Sequence, residues 1–249
     1  MLPFALTDTL LGLDPHLRHL AASGWKVRAA ATRKARGPID LLDSPPRYLE
    51  VQGRAVTEVR LKLGGTIFFS SEGGHSSLRL GGVPVYLSRT VPMQSHWLVP
   101  VDPAGRLEDF QAKLSTRRGG FLWLGEIESV AWEGGVLAAR LNEEPEASLA
   151  GARFLRRGER LFVTPDPDRR CVRVIHQTEV VARLSVLSSD VLSAEWHLPE
   201  RALLATIEHV AEAIDSLKKR ARRSEPAKRP ARRTKMKPKT AKRMSKAAR

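Results

Sequence analysis

Thr57-Glu58-Val59-Arg60-Leu61-Lys62-Leu63 alternates strictly between charged and less polar side chains. In an extended chain successive side chains point to opposite faces. One face of this stretch is therefore apolar (Val59, Leu61, Leu63) and the other charged (Glu58, Arg60, Lys62), which is the signature of a half-buried strand. The pattern recurs from Tyr48 to about Leu187, so the fold is decided here: the body is β-rich.

Downstream, Gly64-Gly65 punctuates and Thr66-Ile-Phe-Phe-Ser reads as the next strand. Gly73-Gly74 and Gly81-Gly82 bracket a short strand ending at Leu80, and 83–88 and 96–101 continue the series. Pro84, Pro92 and Pro100 place these at edges or strand ends. Residues 104–115 carry helical periodicity (Leu107, Phe110, Gln111, Leu114). Strands 121–132 and 136–141 flank Glu133-Gly134-Gly135 and read as a hairpin. An acidic loop at 142–146 and a helical turn at 147–157 follow. Residues 160–164, 171–176 and 179–187 are three further strands.

Upstream, Asp14 suits an N-cap, Pro15 the first helical position and Ser23-Gly24 a stop. With Leu10, Leu13, Leu17 and Leu20 at spacings of three and four, residues 1–24 read as largely helical. Residues 26–46 are basic and turn-rich, read as irregular with room for a helix in 27–35. At the other end, 198–217 reads as an amphipathic helix starting at Pro199. Leu203, Leu204, Ile207, Val210, Ala211, Ile214 and Leu217 form its apolar face.

Short strands at 8–12-residue spacing suggest a barrel or sandwich, and the helices at both ends make the class α+β. The expected organisation has four parts. Residues 1–46 form an N-terminal helix and basic segment, and 47–197 a β-rich body with one inserted helix. Residues 198–217 form a C-terminal helix packed on the body, and 218–249 a disordered basic tail.

Charge is distributed very unevenly. The 249 residues hold 42 Lys or Arg and 27 Asp or Glu, a net charge of +15. Residues 218–249 alone contain 16 bases and one acid, Glu225, leaving 26 of each for the preceding 217. The cations are Lys218, Lys219, Arg220, Arg222, Arg223, Lys228, Arg229, Arg232, Arg233, Lys235, Lys237, Lys239, Lys242, Arg243, Lys246 and Arg249. Between them lie mostly Ala, Pro, Ser and Thr, which cannot bury enough surface to offset the entropy of ordering. Such a segment attracts a polyanion. Without an aromatic beyond Trp196 it holds phosphate and reads no bases. Its composition resembles that of lysine-rich linker-histone tails and bacterial histone-like tails, a likeness of composition alone. Arg153, Arg156, Arg157 and Arg160 form a secondary basic patch.

Catalytic chemistry finds little support. The seven histidines lack zinc spacing: His16 and His19 share a helix face, and His75, His96, His176 and His197 are scattered. The hydroxyl-rich loop around Glu72 and His75 reads as a turn rather than a Ser/His/acid site. The glycine pairs lack the Lys-Ser/Thr of a phosphate loop and read as hairpin or bulge glycines. Asp40/Asp43 and Asp166/Asp168 are the close aspartate pairs, both in proline-containing turns. Trp97, Trp123, Trp132 and Trp196 read as core or interface residues. One cysteine, Cys171, excludes an intrachain disulfide, fits a reducing compartment and reads as a core thiol.

The sequence thus leads to a non-enzymatic nucleic-acid-associated protein without catalytic, metal or cofactor residues. It would bind DNA ahead of RNA through the phosphate backbone. The expected location is cytoplasmic and nucleoid-associated, or nuclear in a eukaryote. No run of 18 apolar residues exists to span a membrane. The alternative is a body that self-associates, binds a protein or senses a ligand, and is merely tethered to nucleic acid or ribosomes.

Overall fold

The computed structural model describes residues 13–31, 47–63, 79–80, 83–84, 86–101, 107–120, 125–156, 158–185, 191–196 and 198–224. Its helices are α1 (Asp14–Ala22), α2 (Val136–Leu141), α3 (Pro145–Ala152) and α4 (Arg201–Ser224). Its strands are β1 (Lys26–Ala31), β2 (Arg47–Gln52), β3 (Glu58–Leu63), β4 (Arg79–Leu80), β5 (Val83–Pro84) and β6 (Tyr86–Pro100). They continue with β7 (Ala112–Arg118), β8 (Ile127–Gly134), β9 (Arg160–Asp166), β10 (Cys171–Ser185) and β11 (Val191–Trp196).

Eight strands form one antiparallel sheet in the order β1-β2-β3-β6-β10-β9-β7-β8, with β11 added to the far half of β10 and β4–β5 a separate small hairpin. Among the described residues, edge strands β1 and β8 do not pair, so the sheet is open. The expected barrel or sandwich is corrected to this single sheet. The physical reason is that helices, not a second sheet, cover its apolar face.

The sheet is organised around β6 and β10, each 15 residues long, paired from Cys171–Pro100 to Ser185–Tyr86. The alternation in 57–63 holds: Val59 and Leu61 are buried, and Val59 lies opposite Trp97. The same face carries Leu49, Val51, Val99, Val163, Val172 and Val174 in one core with Leu203, Leu204, Ile207, Val210 and Ile214 of α4. The opposite face carries Glu50, Arg60, Gln94, Arg173 and Gln177. That face also carries buried Leu98 and Ile175, so it is mixed where the core face is apolar.

Several expected elements differ. Residues 26–31 are a strand, β1, paired with β2 from Lys26–Gln52 to Ala31–Arg47. Tertiary pairing here outweighs the helix-permissive alanines. The helix expected at 104–115 is a 3-10 turn, Leu107–Phe110, followed by strand β7 with Ala112 and Leu114 buried. In α1, Leu13 occupies the N-cap position and Asp14 the first turn. The strands expected at 171–176 and 179–187 are one strand, β10. Pro92 lies within central β6, opposite Glu179, one residue beyond the end of the β3 pairing at Leu63–Met93. Among the described residues of β3, no acceptor faces the missing N–H of Pro92.

The hairpin expected around Gly134-Gly135 is a strand-to-helix turn, because 136–141 is α2. Leu137, Ala138 and Leu141 are buried, and their spacing is helical. Gly134 has φ +136°, and a Cβ there would meet Gln111 O at 2.3 Å. The glycine pair lets the chain pass close to residues 108–111 before winding. The observed hairpin is β7–β8, and Gly119-Gly120 begin its turn, with Gly119 N–H bonded to Glu126 O at 3.0 Å.

Candidate nucleic-acid interface

Helix α4 fixes where the C-terminal cations begin. Its apolar face, with Ile207, Val210, Ala211 and Ile214 essentially sealed, runs across the core against α3 and α2. It begins at Arg201 rather than Pro199 and runs to Ser224, seven residues beyond the expected end. Five of the sixteen tail cations, Lys218, Lys219, Arg220, Arg222 and Arg223, are thus helical. The other eleven, from Lys228 to Arg249, lie outside the described residues.

Lys218 turns inward. Its Nζ donates to Pro100 O at 3.0 Å and lies 3.7 Å from Asp215 Oδ1. Lys219 is more exposed, with Nζ 2.7 Å from Asp215 Oδ2. The Lys219 hydrogen bond is the main cause that lowers the Asp215 carboxyl pKa. Beside Pro100, Val101 N–H donates to Arg170 O at 3.0 Å, so the exposed β9–β10 turn with Arg169 and Arg170 lies at the strand end that Lys218 reaches. Arg170 has φ +52°. Asp166 is committed to this turn: its Oδ1 accepts from Arg169 N–H, and Oδ2 lies 3.6 Å from Arg173 Nε. Asp166 is thus held by arginines of its own turn and of β10. Asp40 and Asp43 lie outside the described residues.

Three arginines of the expected secondary patch, Arg153, Arg156 and Arg160, are described, and they lie on different elements. Arg153 caps the C-terminal end of α3, and Arg156 sits in the following loop, where its backbone N–H donates to Glu159 Oε2 at 2.9 Å. Between them Phe154 is 49% exposed. Arg160 is on β9, on the sheet face away from the helices. Arg157 lies outside the described residues.

The histidines divide by face. His16 of α1 and His176 of β10 are buried on the helix side, around a cavity of about 10 Å³ that Ser95, Thr178 and Pro199 also line. Burial, with His19 and His176 nearby, lowers the His16 pKa to about 4. His19 Nε2–H donates to Pro199 O at 2.7 Å, tying α1 to the segment before α4. His96 is buried on the other face and bonded to Gln94 Oε1 at 3.0 Å. Burial, with Arg173 nearby, lowers its pKa to about 3. Among the described residues, no three His, Cys, Asp or Glu side chains converge as a metal site would require. His75, His197 and the loop around Glu72 lie outside them.

Trp97 is fully buried, and Trp132 donates from Nε1 to Ser148 Oγ at 2.8 Å, so both are core residues. Trp123 lies outside the described residues. Cys171 is buried, and burial pushes its thiol pKa up to about 11. No described helix is long and apolar enough to cross a membrane. Lys113, Phe162 and Gln177 were not among the expected site residues; the register sets Gln177 opposite Arg160 and Lys113 opposite Phe162. The signal was present as the alternation Arg160-Leu161-Phe162-Val163-Thr164, whose even positions face away from the core.

No protein family, no curated protein and no solved structure matches the chain.

Proposed function

We propose that this protein associates with nucleic acid, DNA ahead of RNA, by holding the phosphate backbone through its C-terminal cations without reading sequence. The observation that carries this is the attachment of the cationic segment. Helix α4 is anchored by its buried face and continues unbroken to Ser224, so the charged run starts from a fixed point on the body. A cytoplasmic, nucleoid-associated location follows from the same reading.

The test is binding to a random-sequence duplex, measured by fluorescence anisotropy across a salt series. Each neutralised phosphate contributes about 0.9 to the slope of log K against log salt. Deleting residues 225–249 removes eleven cations and no core residue of α4. The expected result is a slope reduced by several units and loss of most affinity at moderate salt. Undiminished binding by the truncated chain overturns the proposal.

A further inference from the structure

On the sheet face away from the helices lies a groove of about 460 Å³, lined among others by Lys113, Glu133, Arg160, Phe162, Thr164 and Gln177. Its origin is in the strand register. Strand β7 pairs with β9 at only two positions, Ala112–Val163 and Lys113–Phe162, while continuing beside β8 to Arg118. The groove lies over this paired end, with Gln111, Lys113 and Glu133 on the β7–β8 side and Phe162, Thr164 and Gln177 on the β9–β10 side. Phe162 sits in it half-buried, opposite Lys113 on one side and Ile175 on the other, with Arg160 two residues earlier on the same face. Lys113 and Arg160 are exposed, and neither forms an ion pair with a described residue. Gln177 lies opposite Arg160 and Glu133 opposite Lys113.

We propose that this groove holds an unpaired nucleotide of a single-stranded nucleic acid. Its base lies on the Phe162 ring, and the flanking phosphates lie at Lys113 and Arg160. An aromatic side chain accepts any base, because every base has a π-face, and two exposed cations beside it, without an ion pair among the described residues, complement the backbone. Gln177 and Thr164 offer hydrogen bonds to the base edge, and the Glu133 carboxylate accepts from an exocyclic amino group. Bases within a duplex are already stacked on one another and do not reach the ring. The groove volume falls within the usual range of about 300–1,000 Å³ for ligand sites. This inference rests on the reading that the chain binds nucleic acid, and adds to it a preference for single strands that the tail cannot supply.

The test uses the full chain and two probes of equal length, a single-stranded oligonucleotide carrying 2-aminopurine and a duplex. In the wild-type protein the 2-aminopurine fluorescence should be quenched on binding. Phe162→Leu keeps an apolar side chain and should weaken single-strand binding at least about tenfold, with duplex binding unchanged. Lys113→Gln and Arg160→Gln alter exposed positions and should each reduce the single-strand salt slope by about one. If the duplex binds and none of the three substitutions alters single-strand binding, the groove proposal fails and the tail reading stands. If the duplex does not bind but Phe162-dependent quenching persists, the tail reading fails and the groove stands. Absence of binding to either probe overturns both.

Discussion

His176 Nε2 lies 3.6 Å from Glu159 Oε2, both side chains being nearly sealed from solvent. Glu159 also accepts from Thr178 Oγ1 at 2.6 Å and from the Arg156 N–H. Burial alone would raise its carboxyl pKa; His176, Thr178 and the Arg156 amide more than offset this and hold it at about 2. With His16 across the small cavity, the pair joins α1, β10 and the loop before β9 in one buried polar cluster.

Acid should therefore loosen the fold progressively. His16 and His96 have folded pKa values of about 4 and 3 against 6.5 in an unfolded chain, so below about pH 6.5 the unfolded state binds more protons. The same holds for Glu159 between its unfolded value of 4.5 and its folded value of about 2. All three contributions are present at neutral pH and decline as pH falls. Urea denaturation at about pH 7 and about pH 4.5 should show a clear loss of stability. His16→Asn should remove up to about 3 kcal/mol of that difference. An identical pH dependence in the variant would show that His16 is not held neutral.

Arg54 stacks over Trp25, 4.4 Å from the ring centroid, and pairs with Glu208 of α4. It thus clips α4 to the segment between β2 and β3. Arg54→Ala should cost about 1–2 kcal/mol in chemical denaturation, combining the ring contact with the partly exposed ion pair. In a double-mutant cycle with Glu208→Gln, zero coupling would assign the whole effect to Trp25.

Gly151 marks the crossing of α3 and α4. A Cβ there would meet Thr206 Oγ1 at 2.1 Å and Ala202 O at 2.8 Å. Alanine favours a helix over glycine by about 1 kcal/mol, but over-packing costs about 1–3 kcal/mol. Gly151→Ala should lower the thermal midpoint, while Ala150→Gly on the same helix tests propensity alone. A raised midpoint for Gly151→Ala would mean that the helices separate at little cost.

Cys171 is 7% exposed, and burial raises its thiol pKa to about 11, so little thiolate is available near neutrality. Ellman's reagent should react at least about tenfold more slowly with the native protein than with the denatured chain. Fast native labelling would indicate that the β9–β10 turn opens readily.

Local patterns were readable where one element supplies its own reason. The alternation at 57–63 reports a strand with one wet face, and the stripe from Leu203 to Leu217 reports a helix with one dry face. Elements whose conformation is set by a distant partner were not readable. Lys26–Ala31 looks helix-permissive and becomes a strand because residues 47–52 pair with it. Gly134-Gly135 looks like a hairpin turn, yet the following residues wind into α2 because Leu137 and Leu141 find the core. For the candidate interface, the cations of 218–249 were evident from composition. The groove around Phe162 is lined by residues of β7, β8, β9 and β10 together, which no single stretch encodes.

By itself, the sequence determined the separation of a neutral body from a cationic end, the β-rich body, and the terminal helix that joins them. Those properties depend on composition and on periodicities of two and 3.6 residues, both local. The tertiary structure decided that the sheet stays open under a layer of helices, that the basic run begins on a helix fixed beside Pro100, and that Lys113, Arg160 and Phe162 meet. These follow from strand order and register, which pair residues as far apart in sequence as Val59 and Trp97, or Lys113 and Phe162. Such pairings are selected by the burial of the whole core rather than by any one segment.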